Sequence, residues 1–213
     1  SHNYEVKRVE LGKDSSAFYY PSDFNRKKRG TFYINVDNRK FNHNELLVLS
    51  LHEGMPGHHY QSERLNNNDK IPTYIKYYNS TSYIEGWGLY SEGLYEYDNL
   101  IEYYFKLKYE LFRSLRLVVD TGIHYYGWSK EQCVKYNDKY LSLMPSEYKR
   151  YIDDPGQALC YKMGELTINF LRDTYLKRDP NGLKDFHEII MNVGPVPLQF
   201  LISECKKKFE CKL

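Results

Sequence analysis

The run His52-Glu53-Gly54-Met55-Pro56-Gly57-His58-His59 places three imidazoles and one carboxylate within eight residues, and it interrupts a helix in doing so. The preceding Leu46-Leu47-Val48-Leu49-Ser50-Leu51 reads as an apolar helical segment. Pro56 removes a backbone donor and clashes with the turn before it, while Gly57 tolerates backbone angles that other residues avoid. Any fold of this chain must therefore hold a bent helix with imidazoles on both sides of the bend. Binding a transition metal beside a catalytic base is the leading use for that combination. The regular zinc-peptidase pattern, His-Glu-x-x-His, sets two histidines four apart on one helical face, with Glu as base. Here Pro56 occupies the fourth position and cannot ligate.

In a straight helix His59 shares a face with His52 but lies about 10 Å further along the axis. Both nitrogens would have to reach one ion at roughly 2.0–2.1 Å, which a straight helix does not allow. A bulge at Met55-Pro56-Gly57 absorbs the two extra residues and swings His58 into the place of the second histidine. His58 is the preferred ligand and His59 the alternative, with Glu53 as general base. The plainer reading of these residues is a helix that stops at Pro-Gly and carries surface histidines.

Catalytic zinc usually takes three protein ligands, and a carboxylate is the third in one large peptidase class. The segment 82–93, Ser-Tyr-Ile-Glu-Gly-Trp-Gly-Leu-Tyr-Ser-Glu-Gly, offers Ser82 as an N-cap and a helical apolar pattern at Ile84, Trp87 and Leu89. Glu85 and Glu92 are seven apart and share a face. Glu85 is the expected ligand, and Glu92 is placed behind a ligating imidazole. Residues 99–124 read as one long helix with Leu100, Tyr103, Tyr104, Leu107, Leu111, Leu115 and Val118 as its buried stripe. Arg113, Arg116, Asp120 and His124 line up along one side of it. Arg116 suits a substrate carboxylate and His124 a developing oxyanion, whereas Arg113 reads as part of an ion-paired face. Tyr161, one turn past Gln157 after Asp154-Pro155-Gly156, could aim a phenol at the metal, though the chain holds 23 tyrosines.

The motifs His-Glu-Gly-Met-Pro-Gly-His-His-Tyr-Gln (52–61), Glu-Gly-Trp-Gly-Leu-Tyr-Ser-Glu (85–92), Arg-x-x-x-Asp-Thr-Gly-Ile-His (116–124) and Pro-Gly-Gln-Ala-Leu-Cys-Tyr-Lys-Met-Gly (155–164) occur in this order. In these, and in Phe18–Pro21 and Gly30–Asn35, the chain resembles the domain of unknown function 885 family from about Tyr4 to Cys205. That family is similar to the gluzincin zinc metallopeptidases. The resemblance implies His52, His58 and Glu85 as metal ligands and Glu53 as base. Tyr161 and His124 become donors to the transition state. Family members are typically longer, with a large helical region before this part, which implies either a C-terminal catalytic portion or a reduced version of the family's chain.

With 213 residues and a formal charge of +2, the chain suffices for one domain, residues 1–213, and carries no strong electrostatic signal. The short basic runs Arg26-Lys27-Lys28-Arg29 and Lys206-Lys207-Lys208 read as solvated faces rather than a nucleic-acid surface. No apolar run approaches the length of a membrane span, and no secretory signal opens the sequence, so the cytoplasm is the default location. Cys133, Cys160, Cys205 and Cys211 lack metal-knuckle spacing and are expected as thiols. Residues 1–40 read as a strand and loop segment with patches at Ala17–Tyr20 and 31–36, and 41–213 as helical. Helices are expected near 43–55 with a continuation beyond the kink, and at 82–97, 99–124, 129–143, 156–177, 183–192 and 197–208. The whole reads as a mainly α, gluzincin-like domain with a small N-terminal β ribbon that binds one Zn2+ and hydrolyses short peptides. Gln157 joins Arg116 on the substrate side. The alternatives are an inactive metal-binding scaffold and a helical protein-interaction module.

Overall fold

Three short strands precede the helices: β1 (Glu5–Val9), β2 (Ala17–Tyr20) and β3 (Thr31–Asn35). The computed structural model describes residues 4–10, 17–23, 28–36, 43–143 and 145–211, the side chains of residues 43 and 211 excepted. The Cys211 side chain and the first half of the 26–29 basic run thus lie outside what is described. The strand order is β1-β3-β2, with β3 parallel to β1 and antiparallel to β2. β2 and β3 form on aromatic and β-branched patches, and Phe18 stacks on Tyr33 across them at 4.9 Å. β1 adds a strand that the sequence did not signal. Its residues are mostly exposed and charged, so no alternation of burial marks it, and pairing with β3 holds it.

The remainder is helical: α1 (His43–Glu53), α2 (His58–Asn66), α3 (Thr73–Tyr77), α4 (Thr81–Glu92), α5 (Leu100–His124), α6 (Lys130–Asn137), α7 (Pro145–Asp153), α8 (Gln157–Leu176), α9 (Leu183–Val193) and α10 (Leu198–Cys211). The fold is mainly α with a small N-terminal sheet. Local chemistry sets several boundaries. Asn99 caps α5 by accepting from the Ile101 backbone at 2.8 Å, and Ser129 with Gln132 forms a capping box on α6. α4 starts after Ser80 rather than at Ser82 and stops at Gly93, short of residue 97. α6 ends at Asn137 instead of 143. α7 is a helix that the sequence reading left out. Pro145 stands at its first position, where a missing N–H costs nothing.

One core joins α4, α8, α9 and α10 through Tyr83, Trp87, Tyr90, Ile168, Leu171, Phe186, Ile190 and Leu201. A smaller one joins α5, α6, α7 and α8 through Val119, Cys133, Tyr148, Tyr151 and Ala158. α4 and α8 pack closely because glycines meet at their crossing. A Cβ built on Gly86 would lie 2.5 Å from the Cα of Gly164.

The long helix corrects the sequence reading. Of the expected buried stripe on α5, only Leu115 is inside; Leu100 is 85% exposed, and Tyr103, Tyr104, Leu107, Leu111 and Val118 are exposed too. The buried stripe is instead Arg113, Arg116, Val119 and Asp120, with Tyr109 and Phe112 half-buried beside it. The helical period holds, and the polar side faces in because it lines a cavity. Cys133, Cys160 and Cys205 are free thiols. Among the described residues no helix is long and apolar enough to cross a membrane.

Candidate metal centre

The centre is built where α1 stops. After Glu53 the chain turns through Gly54–Gly57 and restarts as α2 at His58. Gly57 sits so tightly under the end of α1 that an added Cβ would lie 1.8 Å from the His52 carbonyl oxygen. α4 holds the bend from the other side. The Trp87 indole N–H donates to the Pro56 carbonyl at 2.9 Å, and the Ser91 hydroxyl donates to the Leu51 carbonyl at 2.9 Å. These bonds satisfy carbonyls that the interrupted helix leaves without partners.

This packing brings residues 52, 58 and 85 together. His52 Nε2 lies 3.3 Å from Glu85 Oε2, and His58 Nε2 lies 3.4 Å from the same oxygen. All three ligand atoms fall within 4.8 Å of one another. Donors bound tetrahedrally at 2.0–2.1 Å stand about 3.3 Å apart; the two His–Glu85 separations match that, and the two imidazoles would draw together around a single small cation. Two imidazoles and a carboxylate are also a donor set that zinc accepts. Gly88 on α4 makes room for the His52 ring, since a Cβ there would lie 2.7 Å from Nε2. Behind that ring, His52 Nδ1 donates to Glu92 Oε1 at 2.7 Å, which directs Nε2 toward Glu85. The His58 ring meets the His52 ring edge-on at 4.7 Å, and its Nδ1 is buried without a hydrogen-bond partner.

The electrostatics agree with the geometry. Burial pushes the His52 imidazole down, but hydrogen bonds to Glu85 and Glu92 outweigh it and raise its pKa to about 10. Burial favours the neutral acid at Glu85, yet hydrogen bonds and charge from His52 and His58 hold it well below the usual carboxylate range. A cation held by these side chains would have to displace the proton between them.

A cavity of about 790 Å³ opens onto these residues and is also lined by Glu53, Arg113, Arg116, Arg150 and Tyr161. Glu53 is 8% exposed on its wall. The Tyr161 hydroxyl accepts from Arg150 Nη2 at 3.1 Å and from Gln157 Nε2 at 3.5 Å, which leaves its own proton to donate. Gln157 does not line the cavity and instead backs Arg150, accepting from Nη2 at 2.9 Å. Arg116 lines the cavity and pairs with Glu147 at 3.1 Å. Asp120 accepts from the Gly156 backbone at 3.1 Å, fixing the start of α8 and hence Tyr161.

Three expectations are corrected, and Gln157, which stands behind Arg150 rather than on the substrate side, is the first. His59 takes no part in the cluster: its Nδ1 meets the Tyr19 hydroxyl at 2.9 Å and its ring packs on Tyr4, joining α2 to the sheet. His124 lies outside the cavity, where its Nε2 donates to the Tyr151 carbonyl at 2.7 Å and ties α5 to α7. Arg113 reads in sequence as ion-paired, and its spacing of three from Arg116 was the signal that it shares the cavity face. Arg150 was missed along with α7.

The sequence matches the family described as "Bacterial protein of unknown function (DUF885)" over residues 1–204. The chain belongs to the DUF885 family. No curated protein matches it. Among solved structures, this DUF885 chain is similar to a protein of Colwellia psychrerythraea described as a candidate lipoprotein, with 33% identity and a TM-score of 0.90. The match covers 99% of this chain and 38% of that one, so the DUF885 chain spans well under half the length of this relative.

Proposed function

We propose that this DUF885 chain is a gluzincin-like zinc peptidase acting on short peptides. The observation that carries the reading is the convergence of His52, His58 and Glu85 on one point, in the same cavity as a buried glutamate next in sequence to the first histidine. A zinc ion held by these three side chains would polarise a scissile carbonyl and make water acidic enough to attack it near neutral pH. Glu53 takes a proton from the attacking water and delivers it to the amine nitrogen as the C–N bond breaks, releasing a free acid and a free amine. The Tyr161 proton is directed toward the oxygen that gains negative charge, while Arg150 and Gln157 hold the phenol in place. Glu92 keeps the His52 ring oriented. The edge strand β2 supports the same reading. Ala17, Phe18 and Tyr19 line the cavity, and among the described residues β2 pairs only with β3, leaving an edge for an extended peptide.

The test joins composition to turnover. Purified protein should carry about one zinc per chain by elemental analysis and cleave peptides from a mixed library. Glu53→Gln should keep the zinc and lose about 10²–10⁴-fold in kcat, the range for a positioned general base. Zinc retention with undiminished cleavage in that variant would remove Glu53 from the mechanism.

A further inference from the structure

Arg113 is the unexplained charge in the cavity. It is 8% exposed, yet its Nε and Nη1 have no hydrogen-bond partner, and among the described residues no carboxylate pairs with it. The neighbouring guanidiniums each have acceptors, Arg116 in Glu147, with only its Nε unpartnered, and Arg150 in Gln157 and Tyr161. Arg113 instead lies over aromatic faces, 4.8 Å from the Tyr109 ring centre and 5.4 Å from that of Phe112. Aromatic rings compensate a desolvated cation only in part, and a buried charge normally has an anion beside it. A guanidinium packed against rings keeps its edge donors for a two-oxygen acceptor.

We propose that Arg113 is the receptor for the C-terminal carboxylate of a peptide, so that the cavity takes substrates by their free C-terminus. This rests on the hydrolytic reading for the reaction, but the carboxylate subsite is a separate property of the α5 wall. Arg113 lines the same cavity of about 790 Å³ as His52, His58 and Glu85, so a peptide gripped by its C-terminus presents a bond near that end to the cluster. The product released from the C-terminal side is therefore an amino acid or a very short peptide. Hydrolysis there forms one new carboxylate and one amine, with the receptor-bound carboxylate unchanged.

The experiment uses three probes on the 213-residue chain: benzoyl-Gly-Phe, its C-terminal amide, and the amide of benzoyl-Gly-Glu. Binding is measured by calorimetry on chelator-treated protein, and cleavage by chromatography on zinc-loaded protein. The free acid should bind about 30-fold or more tighter than its amide, the scale of one charge-assisted pair in a buried site. Arg113→Gln should collapse that ratio toward one, and Arg113→Lys should restore part of it. The wild-type ratio needs no variant, so a misfolded substitution leaves the comparison intact. Equal binding of acid and amide, no binding of the acid, or a preference that survives Arg113→Gln each overturns the proposal. Binding of the glutamyl amide as tight as the free acid assigns the pocket to acidic side chains and overturns the C-terminal assignment. Arg113-dependent acid binding without cleavage of any probe upholds the subsite while removing the peptidase reading. Equal cleavage of acid and amide does the reverse.

Discussion

Glu92 shows how a residue that never reaches the cluster can govern it. Its carboxylate is almost fully buried and receives the His52 Nδ1 proton at 2.7 Å, so it fixes both the tautomer and the tilt of the ring. Partners of this kind typically contribute 10–100-fold to metal affinity. Glu92→Gln should therefore weaken zinc binding by about that factor in a competitive chelator titration while circular dichroism stays at the wild-type level; unchanged affinity would refute the orienting role. Glu85 and Glu92 were readable from sequence because a spacing of seven survives as a shared face when the helix is unbroken, as α4 is from Thr81 to Glu92. The choice between His58 and His59 was not readable in the same way. α2 starts on a new axis after the turn at 54–57, so residue counting through the bend cannot set its phase. Packing decides it, with Tyr4 and Tyr19 claiming His59.

At the level of elements, period was legible and direction was not. Helices α5, α8, α9 and α10 begin and end close to where caps and apolar spacing put them, while α3 has only five residues and α7 turns in just Tyr148 and Tyr151, three apart on an otherwise polar segment. On α5 the apolar residues were assigned inward by the ordinary rule that a hydrophobic stripe faces the core. That rule fails where a helix forms the wall of a polar cavity, as Arg113 and Arg116 do here. The correction has a measurable consequence. Leu115 is 3% exposed and Tyr104 is 58% exposed, although both belong to the same apolar series. Leu115→Ala should cost about 2–5 kcal/mol in denaturant unfolding, the range for emptying a packed aliphatic site. Tyr104→Ala should stay within about 0.5 kcal/mol, as exposed positions usually do. Equal losses would place the sequence-based stripe back inside.

Across the whole molecule, α4 joins the cavity to the larger core. One side presents Glu85, Gly88 and Glu92 to His52, and the other presents Trp87 and Tyr90 to α9. On that far side His187 meets the Tyr90 hydroxyl through Nε2 at 2.7 Å and the Trp87 ring edge-on at 5.4 Å. Burial first, and then the charge of Arg172 from α8, lower its pKa from 6.5 to about 4, against a small opposing pull from Glu188. The sign follows from linkage. The folded chain keeps this imidazole neutral, whereas the unfolded chain protonates it near its ordinary value of 6.5, so acid favours unfolding. The stability contributed here is complete above about 6.5 and is lost progressively as pH falls toward 4. Denaturant melts of the wild type should show decreasing stability across that window. His187→Gln, which retains a polar partner for Tyr90 but cannot titrate, should flatten the slope there while leaving any steeper loss below pH 4, where carboxylates protonate. Parallel pH profiles for the two proteins would mean that His187 is already protonated within the fold, and that the contact between α4 and α9 holds without a neutral imidazole.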